Sequence, residues 1–354
     1  MRKYVAAGLH ASLVAVALAA GCTDTPRHDH TRPSSQPFAF SKETVTMGSS
    51  LQVTLWTADD PGATAAFDAV FAEFDRLDGL MSVWKEGSDV LRLNQAAGRE
   101  PVRLSAETIE VLTVARQVSE WTGGKFDVTF GALSGLWKFD QDQDDSIPSR
   151  AAVAARLPDV DYTALDIDPA RGTAFLRRPG MRAHLGGIGK GYAIDRAAAI
   201  LRARGFHDFM IQSGGDLFVS GRRGDRPWRL GIRDPRGPAD RSLATLDLTN
   251  GTFSTSGDYE RFFIKDGRRY HHILDPDVGE PARGCRSVTI LADTAVLADA
   301  LSTGVFVLGP EEGMALIERL PNVEGVIVSS QNRVLVSSGL VGKLAMIAQP
   351  TDAP

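Results

Sequence analysis

Cysteine is nearly absent from this chain: 354 residues carry two, Cys22 and Cys285. A disulfide framework is therefore excluded, and if Cys22 is modified no internal disulfide remains. Such a body must be stabilised by its apolar core, and the chain is long enough to build one. An excess of positive charge is also missing. The formal net charge is −5 and no basic cluster occurs, which argues against nucleic acid as a partner. No apolar run is long enough for a comfortable membrane span, since the stretch from Val5 to Ala20 is short and His10 interrupts it. No internal repeat is visible.

What the N-terminus does contain is an export signal over residues 1–22. Arg2 and Lys3 precede the apolar stretch, and Leu18-Ala-Ala-Gly-Cys22 closes it with small residues ahead of a cysteine. That ending is similar to a bacterial lipobox, in which Cys22 is lipidated and becomes the mature N-terminus; an ordinary cleaved signal is the alternative. Residues 23–41, rich in Pro, Ser and Thr, are expected to form a flexible tether. His28 and His30 in it are too few to make a metal site. The folded body is expected over residues 42–345, with a disordered tail over 346–354.

Within the body, Leu51–Trp56 has a strand pattern. Phe67, Val70, Phe71, Phe74, Leu77 and Leu80 recur at helical spacing. A second helix is expected from Ala106 to Trp121, capped by Ser105 and ended by Gly123-Gly124. Others are expected from Lys190 to about Ala203 and from about Thr294 to Leu308, the latter ended by Gly309, with Pro310 opening a fifth. Short strands are expected around Gly214-Gly215, over much of Trp228–Ile264, and at 325–328 and 334–337. Helices and strands mix without regular alternation, so the expected class is α+β.

Four glycines, 186, 187, 189 and 191, fall within six residues of His184-Leu-Gly-Gly-Ile-Gly-Lys-Gly-Tyr192, just where a helix begins. Glycine permits positive φ and close backbone approach, and a helix start offers unpaired N–H groups to an anion such as phosphate. Neither common phosphate motif fits. Tyr192 stands two places after Lys190, where a Walker loop needs Ser or Thr nearby, and it occupies the third glycine of a dinucleotide fingerprint. A glycine-rich turn before a structural helix explains the same letters.

Asp299 and Thr303 share a helix face and are hard oxygen donors, suited to Mg²⁺. Their helix is otherwise very apolar, so a buried Asp299 would need a partner. His271-His272 follows a strand pattern, so at most one of the two faces a pocket. There it could act as a general base, or it could be hydrogen-bonded in a turn. Ser254-Thr-Ser-Gly-Asp258 suggests a polar turn. Met47 and Trp84 could stack on a flat ring or belong to the core.

Taken in order, these segments resemble the ApbE family. The resemblance rests on Thr46-Met-Gly48, Met81-Ser-Val-Trp84, Gly124-Lys-Phe-Asp127-Val-Thr129, Leu185-Gly-Gly-Ile-Gly-Lys-Gly-Tyr-Ala193, Gly214-Gly-Asp216, Thr255-Ser-Gly-Asp-Tyr259, His272-Ile-Leu-Asp-Pro276 and Ala298-Asp-Ala-Leu-Ser-Thr303. It covers roughly residues 42–340. It implies a fold like a fused pair of T-fold-like units and FAD:protein FMN transfer outside the cytoplasm. FAD is cleaved at its diphosphate, FMN is linked through its phosphate to a Thr or Ser of an acceptor protein, and AMP leaves. The acceptor implied is a membrane-associated redox subunit. The same resemblance implies a lipid anchor on the periplasmic side of a bacterial membrane.

By that resemblance Gly187, Asp299 and Thr303 hold Mg²⁺, with Gly187 acting through its carbonyl. Met47, Trp84, Lys125, Phe126, Asp127, His184, Lys190, Ser256, Asp258 and Leu274 form the FAD site. His272 assists proton removal from the acceptor hydroxyl. His184, grouped with it at the catalytic centre, stands where relatives usually carry Asp, and Gly189 where they often carry Ala. Asp299 must then lie within a side chain's reach of residues 186–190. An FAD pyrophosphatase releasing FMN and AMP, or a non-catalytic FAD-binding lipoprotein, would use nearly the same residues.

Overall fold

The computed structural model describes residues 36–139 and 143–353. The expected signal segment, Cys22 and most of the tether lie outside the described residues. The fold is built on one eight-stranded sheet in which every neighbouring pair is antiparallel. Its strands, in spatial and in chain order, are Phe38–Thr46, Ser49–Thr57, Phe209–Ser213, Asp216–Ser220, Asn250–Gly257, Cys285–Ala292, Glu324–Ser329 and Val334–Val336.

Among the described residues seven α-helices accompany the sheet: α1 (Asp60–Met81), α2 (Asp89–Gln95), α3 (Ala106–Trp121), α4 (Arg150–Arg156), α5 (Gly189–Ala203), α6 (Ala295–Leu308) and α7 (Pro310–Arg319). The sheet's two halves repeat one order: an antiparallel strand pair, helices, and a second antiparallel strand pair. The first half uses α1 and α5, the second α6 and α7. The halves join where Asp216–Ser220 pairs with Asn250–Gly257 and where α5 packs on α6. That pairing agrees with two fused T-fold-like units, although the sequence shows no repeat.

Alternation along the strands makes the layers. Leu51, Val53, Leu55, Ile211, Phe218, Val288, Ile290 and Ile327 turn to the helices and form the main core. Leu217, Val219, Phe253, Val326 and Val328 turn the other way. There they meet Trp228, Leu230, Leu243 and Leu246 on a small three-stranded sheet of Trp228–Arg233, Ser242–Leu248 and Ala345–Met346.

Local signals were accurate where the causes are local. The Ser105 hydroxyl accepts the Thr108 N–H at 3.2 Å and starts α3. Gly123, Gly205 and Gly309 end helices at positive φ, and Pro310 occupies the first turn of α7. Three expectations change. The tether stops short of residue 41, because Phe38–Ser41 are already paired with Thr54–Thr57. Residues 346–353 are not a loose tail. Met346 pairs with Ala244, and Thr351 donates to the buried Asp234 carboxylate through its backbone N–H at 3.1 Å and its hydroxyl at 2.6 Å. Ser254–Gly257 is strand rather than turn, which points Ser254 and Ser256 at α6.

Candidate active site

The glycine-rich segment turns through residues 186–188 and enters α5 at Gly189. None of its four glycines adopts positive φ, so left-handed backbone is not why they are there. At Gly191 the reason is space. A Cβ on Gly191 would lie 2.2 Å from the Ala295 carbonyl oxygen and 2.8 Å from the Asp299 Cβ. Only glycine lets α5 and α6 meet backbone to backbone at this level. A Cβ on Gly187 would sit 3.3 Å from Thr303 Oγ1, so that turn lies against the third turn of α6.

This contact brings Asp299 to the glycine loop. Asp299 is buried, and its Oδ2 accepts the Gly191 N–H at 2.9 Å. Its Oδ1 faces the Lys190 ammonium across 4.0 Å. Burial, and then the neighbouring Asp216 carboxylate, push the Asp299 pKa upward, while Lys190 and the Gly191 N–H pull it down. Burial lowers the Lys190 pKa in its turn, but Asp216 and Asp299 more than offset this and hold it above the ordinary lysine range. Lys190 donates to Asp216 Oδ2, and Ser254 donates to Asp216 Oδ1.

A chain of hydroxyls prepares Thr303. Ser302 Oγ donates to the Asp299 carbonyl at 2.9 Å, so its proton is committed. In the 2.8 Å contact between Ser256 and Ser302, Ser256 must then be the donor. Thr303 must donate in its own 3.1 Å contact with Ser256. The lone pairs of Thr303 Oγ1 are thereby left for another partner beside Gly187. Among the described residues no group of three or more His, Cys, Asp and Glu could hold a metal. The oxygen set here is one buried carboxylate, one hydroxyl turned acceptor-outward and the backbone of a close glycine turn. All are hard donors of the kind Mg²⁺ takes, so the residues fit that ion.

His271 ends its strand and His272 lies just beyond it, in different surroundings. His271 is buried, its Nε2 is 2.8 Å from the Ala282 carbonyl, and its ring stands edge-on to Phe306. His272 leaves the strand and keeps part of its ring at the surface, with Nδ1 3.4 Å from the Arg261 carbonyl. A proton on Nδ1 serves that contact and leaves the Nε2 lone pair available. Desolvation, reinforced by the positive charge of Arg261, lowers the ring pKa from 6.5 to about 3. His272 is therefore neutral at physiological pH, as a base must be.

Trp84 follows α1 and is 78 % exposed. Met47 and Gly48 form the two-residue turn of the first hairpin at φ 48° and 72°. The Met47 methyl is 3.6 Å from where a Gly189 Cβ would lie, so Met47 borders the glycine loop. His184 Nδ1 accepts the Gly186 N–H at 3.0 Å, closing the turn as an aspartate oxygen would, and its ring lies beside Phe130.

Five of the expected FAD contacts have partners within the protein. Asp127 is buried, with Oδ1 accepting from Thr129 N–H and hydroxyl at 2.7 Å each and Oδ2 from Tyr162 N–H at 2.8 Å. Burial raises its pKa to about 6 against those bonds. Asp258 is paired bidentately with Arg236 at 2.7 Å on both oxygens, and that pair is buried. Phe126 packs under Gly187 and Gly304, and Leu274 joins an apolar cluster with Leu133, Trp137 and Tyr270. Lys125 is shared between Asp275 at 2.9 Å and Asp277 at 2.8 Å. Sequence reasoning missed the roles of Asp216 and Ser302. Gly214-Gly215-Asp216 was the one signal for the first, and nothing local marks the second.

A seam between two duplicated halves, carrying a glycine turn, a helix start and a buried carboxylate, defines a site for a phosphorylated ligand. The ApbE family model matches residues 47–327. The chain belongs to the ApbE family. A relative from Klebsiella pneumoniae named FAD:protein FMN transferase is 33 % identical over 277 residues, covering 77 % of this chain and 79 % of its own. One of the same name from Escherichia coli K12 is 30 % identical, covering 87 % and 89 %. Among solved structures, the ApbE protein of Thermotoga maritima superposes with TM-score 0.79 at 32 % identity, covering 86 % of this chain and 99 % of its own. The flavin transferase ApbE of Vibrio cholerae does so at 0.78 and 28 %, covering 87 % and 99 %.

Proposed function

We propose that this protein is a magnesium-dependent FAD:protein FMN transferase, anchored by a lipid on Cys22 at the extracytoplasmic face of a bacterial membrane. The observation that carries this reading is the meeting of Asp299 and Thr303 with the glycine turn that opens α5. Its acceptor is a Thr or Ser of an exported, membrane-associated redox protein. Among the described residues no helix is long and apolar enough to cross a membrane.

Trp84 and Met47 offer surfaces for the flat rings of FAD. The positive end of the α5 dipole, together with Lys190, meets the diphosphate. Asp299, Thr303 and the Gly187 carbonyl would hold Mg²⁺, which when bound neutralises diphosphate charge as the bond between the phosphates breaks. The acceptor hydroxyl is a weak nucleophile and needs a base. His272 Nε2 takes its proton, the acceptor oxygen bonds to the FMN phosphorus, and AMP departs with the electrons of the broken P–O bond. Positioning and charge stabilisation supply most of the acceleration in such transfers.

The test mixes the protein with FAD, Mg²⁺ and candidate acceptor proteins from the same envelope. AMP release together with flavin fluorescence on a denatured acceptor band is expected. AMP with only free FMN would mark a hydrolase instead, and no AMP would mark a binding protein.

A further inference from the structure

Two helices carry the site, and they are tied to each other at two levels. At the first, Gly191 N–H of α5 meets Asp299 Oδ2 of α6 at 2.9 Å. One turn further along α5, Asp195 reaches the start of α6. Its Oδ1 accepts the Ala295 N–H and its Oδ2 the Val296 N–H, both at 2.9 Å. Gly191 and Asp195 are four residues apart on one helix, and Ala295 and Asp299 four apart on the other, so the bonds form a closed rectangle.

Asp195 also replaces a missing part. Thr294, the N-cap of α6, makes no side-chain cap bond, so the first two N–H groups of that helix are satisfied from another helix. The carboxylate favours the positive end of the α6 dipole as well. Keeping it ionised there has a cost. Burial, with Glu110 adding to it, raises its pKa to about 6, while the two N–H bonds and Arg202 act the other way. Packing does not demand an acid at this position. Asp195 borders a cavity of about 670 Å³ with Glu110, Tyr192, Arg196 and Arg202.

We infer that Asp195 is a positioning residue for the reaction, fixing the axial register of α6 so that Asp299 and Thr303 face the glycine turn. The inference rests on the magnesium role given to Asp299. Partners one step behind a metal ligand typically control metal affinity by roughly 10- to 100-fold.

Full-length Asp195→Asn and Asp195→Ala proteins test it, with Ser149→Ala at the cap of α4 as a control that removes a comparable cap remote from α5 and α6. Magnesium affinity is read by calorimetry without FAD turnover, and the magnesium dependence of AMP release is read separately. Both Asp195 variants are expected to weaken magnesium about tenfold or more, with much of the maximal rate recovered at saturating magnesium. Ser149→Ala should lower the melting temperature and leave magnesium affinity within twofold. If Asp195→Ala does not fold, Asp195→Asn decides, because it retains one acceptor oxygen. Unchanged affinity in a folded Asp195 variant overturns the inference and leaves the transferase reading intact. Unaltered protein that binds magnesium yet releases no AMP does the reverse. Failure of the unaltered protein to bind magnesium overturns both.

Discussion

His272 shows what burial does for a single side chain. An ordinary histidine is half protonated near 6.5, whereas this one is held neutral down to about 3. The sign follows from proton linkage. The unfolded chain binds this proton more readily than the folded one, so the stability His272 contributes is complete above about 6.5 and declines as pH falls toward 3. For catalysis, the rate of transfer should show no acid limb near 6.5 that belongs to this ring. His272→Ala should slow transfer by about 10²–10⁴-fold, equally at pH 6 and pH 8. A wild-type profile with a titration near 6.5 that disappears in His272→Ala would contradict this. Single residues were legible in the sequence when their chemistry was unusual for their neighbours, as with Asp299 in an apolar helix. They were less legible where a partner far along the chain fixes a side chain's contacts. Asp258 is claimed by Arg236, 22 residues away, and Asp216 by Lys190 and Ser254, 26 and 38 residues away.

Elements were the most legible level, because caps and helix stops act within a few residues. Ser105, Gly309 and Pro310 each do what their types suggest. The glycine loop was located correctly, but none of its glycines uses positive φ, and at Gly191 it is contact between helices that demands glycine. That difference is testable. Gly191→Ala puts a methyl into the Ala295 carbonyl, and relief requires α5 and α6 to separate. The expected loss is about 1–3 kcal/mol of stability, seen as a lower melting temperature, together with weaker magnesium binding. By contrast Gly205→Asn, at a helix end with φ 83° and nothing within 4 Å of its Cβ position, should cost much less. Equal effects of the two substitutions would mean that the close approach of the helices carries no weight.

At the scale of the molecule, two copies of one architecture meet at a seam, and the candidate site lies on it. The first half supplies the glycine turn, Lys190 and Asp216. The second supplies Ser254, Ser256, Asp299 and Thr303. The duplication is invisible in the sequence because a half is defined by strand order and helix placement, which many sequences satisfy. The docking of Thr351 on Asp234 was hidden for a related reason, since 117 residues separate the partners. The central claim is that the seam grips a divalent cation beside a diphosphate. Crystals of the protein grown with FAD and Mn²⁺, measured for anomalous scattering, test it most directly. One manganese peak bounded by the Asp299 carboxylate, the Thr303 hydroxyl and the Gly187 backbone, with the diphosphate against it, is the predicted result. A diphosphate bound elsewhere, or manganese seated away from Asp299, would contradict the account.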